Sequence, residues 1–234
     1  MLDSTVFDGN TLIVTNFPKS DYSLKDLITQ IDLSCLDTTK ITYMGSMFKT
    51  MNNIISLDLR TFNTENVTYM GSMFWSLNNL TSLDLSSFNT ENVISMYCMF
   101  EYDSKLTSLD LSSFNTKNVV SMEFMFSSCS RLSSLNLCNF NTSSVKTMFN
   151  MFAGCKNLST LTLGPDWGIN TSISSFDLSY SPLTHDSCLD VFNKLADKTQ
   201  TATTSATLKL SSTTKALMSD DEIAIATAKG WTVS

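Results

Sequence analysis

The residues of this chain best suited to chemistry form a file of acidic and hydroxyl side chains that recurs every 26 residues. The candidate binding residues of this file are Asp32, Asp58, Arg60, Asp84, Ser86, Asp110, Ser112 and Asn136. On neighbouring strands, carboxylates stand about 4.8 Å apart and repel one another by about 1 kcal/mol in water. Such a file can hold Ca²⁺ or accept hydrogen bonds from sugar hydroxyls. It can equally be a solvated row that keeps the surface soluble, with Arg60 easing the repulsion.

A nucleophilic triad would have to use His185, because it is the single histidine of the chain. Its neighbours in sequence are Thr184, Asp186 and Ser187, but triad partners must converge in space rather than in sequence. Capping of a helix N-terminus explains Thr184 and Asp186 without any chemistry. We therefore predict no catalytic residue and expect the protein not to be an enzyme.

The six cysteines do not suggest a metal site. Cys129 and Cys155 occupy the same place in neighbouring units, so a disulfide between them is geometrically conceivable. The equivalent position holds Met51, Leu77 and Asp103 elsewhere, which favours buried free thiols. The chain has no Cys-x-x-Cys pair and one histidine, so zinc is not expected. Apart from the Ca²⁺ alternative, we predict no cofactor.

The elements that must position these residues are internal repeats. The sequence LDLRTFNTENVTYMGSMFWSLNNLTS begins at Leu57. Similar sequences of the same length begin at Leu83 and Leu109. More divergent copies begin at Ile31 and Leu135. A fixed period of this length is the signature of a solenoid, in which each unit buries its apolar edge against the next.

Each unit contains two apolar rhythms. Leu83 and Leu85 lie two residues apart, which predicts a strand with one buried face. The stripe Val67, Met70, Met73 and Phe74 has helical spacing and predicts a short helix. Stacking would place the leucines, phenylalanines and methionines in buried rows, with methionine as core filler. The corner residues Asn63, Asn89, Asn115 and Asn141 are predicted to form a structural ladder that satisfies backbone groups.

The unit L-x-x-L-x-L-S-x-F-N-T-x-N-V-x-x-M-x-x-M-F, most closely matched at 80–100 and 106–126, resembles the BspA-like class of leucine-rich repeat. The resemblance implies a right-handed solenoid with a parallel sheet on one side. It also implies a surface-exposed protein of host-associated microbes that serves adhesion or recognition, without enzymatic activity.

We accordingly predict an α/β solenoid, a leucine-rich-repeat-like right-handed coil with one parallel β-sheet face and short helices opposite. Residues 1–30 are expected to form an N-terminal cap that contains a strand at Thr11–Val14 and a helix capped by Ser23. Residues 31–163 contain five 26-residue repeats and the strand of a sixth. Residues 164–234 are expected to form irregular C-terminal coils that close the solenoid.

Within the C-terminal coils, Thr184 is predicted to cap a helix. A capping box of Ser219 and Glu222 begins a second helix, which Gly230 ends. Strands are predicted at Leu208–Leu210 and Trp231–Val233, and a mobile loop is expected at 199–205.

Composition narrows the function further. A net charge of −7 argues against nucleic acid, which requires a basic face. No stretch is long and apolar enough to span a bilayer, and the opening MLDSTVFDGNTLIV lacks the pattern of a secretory signal peptide. Two interpretations stay open. One is an extracellular or cell-surface recognition module for a host protein or glycan, and the alternative is a bacteriophage virion component such as a fibre, receptor-binding or decoration protein. The oligomeric state is not predicted.

Overall fold

The computed structural model describes residues 29–34, 36–168, 170, 172–199 and 206–234, and the backbone of two strands at 5–8 and 11–14. In chain order the described elements are β1 (Thr5–Asp8), β2 (Thr11–Val14), β3 (Gln30–Asp32), β4 (Ser134–Leu137), β5 (Thr160–Leu163), β6 (Ser175–Leu178), α1 (His185–Lys194), β7 (Ala206–Leu210), α2 (Ser212–Lys215), α3 (Asp220–Ala228) and β8 (Trp231–Val233). The helix predicted after Ser23 and the loop residues 200–205 lie outside the described residues.

The described strands form three small sheets rather than the single predicted one. Their orders are β1-β2-β3, β4-β5 and β6-β7-β8. The β1-β2 pair is antiparallel and the other described pairs are parallel. Between β3 and β4 the leucine-bearing segments keep the alternation of buried and exposed residues but lack regular strand pairing. Other backbone contacts between the units replace this pairing.

The units stack in register, so that each side chain meets its counterpart in the next unit. The rings of Phe48, Phe74, Phe100, Phe126 and Phe152 form one stack with neighbouring centroids 5.6–5.8 Å apart. Phe62, Phe88, Phe114 and Phe140 form a second stack at 6.5 Å. Met70, Met96, Met122 and Met148 are buried beside them. The prediction that these methionines fill the core is confirmed.

The stripe from Val67 to Phe74 forms turns, so the prediction of a short helix there is wrong. The described residues from 36 to 168 contain no α-helix. Ser72 has a φ of 57° and Ser76 a φ of 63°, which a right-handed helix excludes. The helical spacing indicates only which side chains point inward. A series of turns can bury the same side chains equally well.

These turns carry a ladder of hydrogen bonds between units, which we call the inter-unit ladder. The N–H groups of Met44, Ser46, Phe48 and Thr50 donate to the carbonyls of Tyr69, Gly71, Met73 and Trp75 at 2.8–2.9 Å. The same four rungs join each following pair of units, as far as the bond from Ser128 to Ala153. An adjoining row runs in the opposite sense, because the Thr68 N–H donates back to the Thr42 carbonyl at 2.8 Å.

A second connection between units uses buried threonine. The N–H of Asn89 donates to Oγ1 of Thr64 at 2.8 Å, and that hydroxyl donates to the Asn89 carbonyl at 2.9 Å. The side chain of Asn89 closes its own corner by accepting the Glu91 N–H at 3.0 Å. The predicted asparagine row therefore does satisfy backbone groups, but within its own unit, and threonine joins one unit to the next.

The C-terminal coils contain the predicted caps. Thr184 accepts the N–H of Ser187 at the start of α1, and Ser219 forms a full capping box with Glu222 at the start of α3. The strands predicted at Leu208–Leu210 and Trp231–Val233 are also present. Each of the described helices is too short or too polar to cross a membrane.

Two different elements follow the repeats on their two sides. The Ser187 hydroxyl of α1 accepts the N–H of Leu161 at 2.8 Å, so α1 covers the exposed edge of β5. Phe176 of β6 instead contacts Phe152 at the end of one phenylalanine stack, with ring centroids 5.9 Å apart. The leucine-bearing segments of the repeats therefore end beneath α1. The side of the repeats that carries the inter-unit ladder, which we call the ladder side, is followed by β6.

Candidate functional site

The aspartate file, which comprises Asp32, Asp58, Asp84, Asp110 and Asn136, lies on the surface opposite the buried leucines. In each member, one side-chain oxygen accepts a backbone N–H from two residues ahead, at 2.9–3.1 Å. The side chains of the file therefore close the corners of their units. Their orientation is fixed by these bonds.

Hydrogen bonds favour the ionised form of the four aspartates by lowering their pKa. The hydroxyl of Ser86 and then its N–H lower the pKa of Asp84. The Arg60 guanidinium forms a bidentate interaction with Asp58, in which Nε donates to Oδ1 at 2.9 Å and Nη2 donates to Oδ2 at 2.7 Å. These hydrogen bonds lower the pKa of Asp58 to about 2. Arg60 and Asp58 also act on the pKa of Asp84 with opposite signs. Successive members are therefore close enough to interact, and Arg60 eases the repulsion as predicted.

A cleft of about 310 Å³ opens at the N-terminal end of the file. It is lined by Gln30, Ile31, Asp32, Leu33, Ser34, Ser56, Asp58 and Thr61. Within the described part of the chain, no three histidine, cysteine, aspartate or glutamate residues are grouped to hold a metal ion. The interactions that the structure shows for the exposed carboxylates are hydrogen bonds and, at Asp58, an ion pair with Arg60.

A second surface, on the ladder side, was missed by the sequence analysis. Tyr43 and Tyr69 stack with ring centroids 4.8 Å apart and an angle of 1° between the ring planes. Their side chains lie over Gly45 and Gly71, where a Cβ would come within 2.7 Å and 2.5 Å of tyrosine side-chain atoms. Tyrosine followed two residues later by glycine in two neighbouring units is the signal that could have revealed this arrangement.

The same surface carries further aromatic side chains. Phe124 makes edge-to-face contacts with Tyr97 and Phe149, with centroids 6.2 Å and 5.6 Å apart. Phe149 is 60% exposed. We call Tyr43, Tyr69, Tyr97, Phe124 and Phe149 the aromatic stripe. The aromatic stripe offers apolar contact area on the ladder side of the repeats.

Both surfaces lie within the part of the chain that matches a family model. A family described as a Mycoplasma protein of unknown function, DUF285, matches residues 16–134 and 76–178, and the two matches together span most of the chain. The chain belongs to the DUF285 family. A comparison of this chain with the curated proteins found no match. Because the DUF285 description names no activity, the function of this chain must be argued from its geometry.

Outside the DUF285 match, His185 lies between two carboxylates. Its Nδ1 is 3.0 Å from Asp186 Oδ1 and its Nε2 is 2.8 Å from Glu222 Oε1. Hydrogen bonds to Asp186 and then Glu222 raise the pKa of His185. The hydroxyl of Ser187 instead bonds to the backbone of Leu161. His185 thus links α1 to α3, and the structure does not pair it with the neighbouring serine.

Within the DUF285 units, Cys129 and Cys155 are buried free thiols. Each Sγ donates to a backbone carbonyl at 3.1 Å, that of Phe100 for Cys129 and that of Phe126 for Cys155. Burial raises the pKa of Cys155 to about 12. These cysteines behave as small core residues with satisfied thiols, and Cys35 lies outside the described residues.

Proposed function

We propose that this chain is a non-enzymatic recognition or adhesion module with a BspA-like leucine-rich-repeat architecture of the α/β solenoid type. Its aspartate file would contact a protein or glycan partner at a cell surface or outside the cell. The observation that supports this proposal is the fixed orientation of the file, in which a turn hydrogen bond holds each side chain outward in successive units.

The chemistry of the file suits polar partners. Carboxylates with a lowered pKa stay ionised at neutral pH and accept charge-assisted hydrogen bonds from sugar hydroxyls or basic side chains. Because the carboxylates are already oriented, little side-chain freedom is lost on binding. The cleft beside Asp32 and Asp58 adds a concave contact at one end of the file.

The test is an array of glycans and host proteins, read with wild type and with the triple variant Asp58→Asn, Asp84→Asn, Asp110→Asn. Asparagine retains the turn acceptor, as Asn136 shows in the same file, so the variant should fold. We expect the affinity for a bound partner to fall by at least about tenfold, because charge-assisted hydrogen bonds are lost.

The matched control removes three exposed acidic charges away from the file, through Asp37→Asn, Glu65→Gln and Asp197→Asn. Its binding should stay at the wild-type level. Unchanged binding by the file variant would refute the proposed contact surface. If Tyr43→Ser with Tyr69→Ser abolished binding instead, the aromatic stripe would be the contact surface.

A further inference from the structure

The inter-unit ladder ends in the unit that contains residues 148–154. This unit accepts the last complete set of rungs but has no equivalent set to the residues that follow it. In the preceding unit, the N–H of Met122 donates to the Thr147 carbonyl at 2.9 Å and that of Phe124 to the Phe149 carbonyl at 3.0 Å. The equivalent N–H groups of Met148 and Asn150 have no acceptor among the described residues. The N–H groups of Met148 and Asn150 are therefore open at the place where the carbonyls of a further unit would otherwise accept their hydrogen bonds.

A cleft of about 160 Å³ adjoins these donors. It is lined by Lys146, Thr147, Met148, Phe149 and Asn150 on the ladder side, and by Ser172, Ile173, Ser174, Ser175, Asp177 and Lys209 on the side of β6 and β7. Lys146 and Lys209 bring two positive charges to it. Asp177 brings one negative charge and lies 3.4 Å from Lys209, measured from Oδ2 to Nζ.

The backbone adds to the positive potential of the cleft. Along four rows of the ladder, every N–H points toward the C-terminal end of the repeats. Peptide dipoles aligned in this way add, as they do along a helix, and leave partial positive charge at the end with open donors. Asn150 has a φ of 54°, and alternation of left- and right-handed residues turns successive N–H groups toward one anion.

We propose that this cleft binds a tetrahedral oxyanion, namely a sulfate or phosphate group. The N–H groups of Met148 and Asn150 donate to its oxygens, and Lys209 and Lys146 balance its charge. Asp177 competes for Lys209 and limits the affinity. This site lies apart from the aspartate file, and it requires an anionic ligand where the file requires a cationic or neutral one.

The test is a titration of the full chain with inorganic sulfate and, separately, inorganic phosphate, with chloride keeping the ionic strength constant. Amide NMR should show saturable shifts at Met148 and Asn150, and calorimetry should give the Kd. We expect Lys209→Met to raise the Kd about tenfold, because a charge-assisted contact is lost. Asp177→Asn should lower the Kd several-fold, because it frees Lys209 from its ion pair. The variant should fold, since asparagine keeps the acceptor for the Ser179 N–H.

The control is Lys156→Met, which removes an exposed lysine from the same unit outside the cleft and should leave the Kd unchanged. Shifts that never saturate would overturn the proposal, as would a Kd in folded Lys209→Met equal to that of wild type. If Lys209→Met does not fold, the same tenfold criterion applies to Lys146→Met. Opposite effects of the Lys209 and Asp177 substitutions on the Kd would support the site.

Discussion

At the scale of single residues, Asp103 departs most clearly from the repeat. It occupies the row of Leu77 and Cys129, and it is only 1% exposed. Its Oδ1 accepts the Leu77 N–H at 2.7 Å, whereas its Oδ2 has no partner among the described residues. Burial raises the pKa of Asp103 well above its usual range. Burial therefore favours the neutral form of this carboxyl group.

This carboxyl predicts a pH dependence of stability. Above about pH 4 the unfolded chain ionises Asp103, whereas the folded chain retains the proton until its raised pKa is passed. The contribution of Asp103 to the free energy of unfolding therefore falls as pH rises, by about 1.4 kcal/mol per pH unit within that window. Asp103→Asn removes this fall. Urea unfolding from pH 4 to 8 should show the variant gaining stability relative to wild type as pH rises.

Asp84→Asn is the matched control, because Asp84 is an exposed carboxylate whose pKa is lowered by Ser86. Its contribution to stability is present at neutral pH and is lost as pH falls through the lowered folded pKa. Between pH 4 and 8 the stability difference between Asp84→Asn and wild type should therefore stay constant, because its change lies below about pH 4. A difference between Asp103→Asn and wild type that did not vary with pH would contradict the assignment.

At the scale of elements, the inter-unit ladder depends on left-handed backbone conformations. Two positions of each unit have positive φ, as Phe124 at 55° and Ser128 at 63° show. Such a conformation costs a residue with a side chain about 1–2 kcal/mol. The last unit has Gly154 at the position of Ser128, with a φ of 73°. The ladder bonds must offset this cost wherever glycine is absent.

Ser128→Gly is therefore predicted to stabilise the protein. Glycine removes the left-handed penalty, and its greater freedom in the unfolded chain offsets part of this gain, which leaves a net increase of about 0.5–1 kcal/mol in the free energy of unfolding. Denaturant unfolding at neutral pH measures it. Ser133→Gly, at a residue without positive φ, should destabilise the protein by a similar amount, and stabilisation by both substitutions would contradict the conformational explanation.

At the scale of the whole molecule, the described repeats contact mainly their immediate neighbours. Ring stacks, threonine bridges and ladder rungs all join positions 25 or 26 residues apart. Stability should then be close to a sum of unit and interface contributions. The protein should consequently tolerate a change in the number of units better than a change in the register between units.

Deletion of residues 83–108 removes one complete 26-residue unit and should leave a folded, less stable protein. The ladder can re-form between the flanking units, because Met70 then meets the unit of Ser121 with the same spacing. Circular dichroism and thermal unfolding would show a retained cooperative transition at a lower Tm. Deletion of 83–95, which shifts the register, should abolish the transition, and equal outcomes for the two deletions would contradict the stacking of units.

The period, the inward-facing rows and the caps of α1 and α3 could be predicted from the sequence. Period and apolar spacing decide which side chains can be buried together, and a capping residue such as Thr184 acts on backbone only a few positions away. The location of the aspartate file on the surface also followed from alternation along each unit. These features depend on local chemistry that is repeated along the chain.

The hydrogen-bond partners of the backbone could not be predicted from the sequence, because they lie in other units. The left-handed residues of the ladder, the bridging role of Thr64, the tyrosines over Gly45 and Gly71, and the open donors at Met148 depend on contacts with another unit. The stripe at Val67 has helical spacing, yet the N–H groups of Met70 and Phe74 bond to carbonyls 25 positions away. No local propensity encodes such partners, because each bond exists only once two units have stacked.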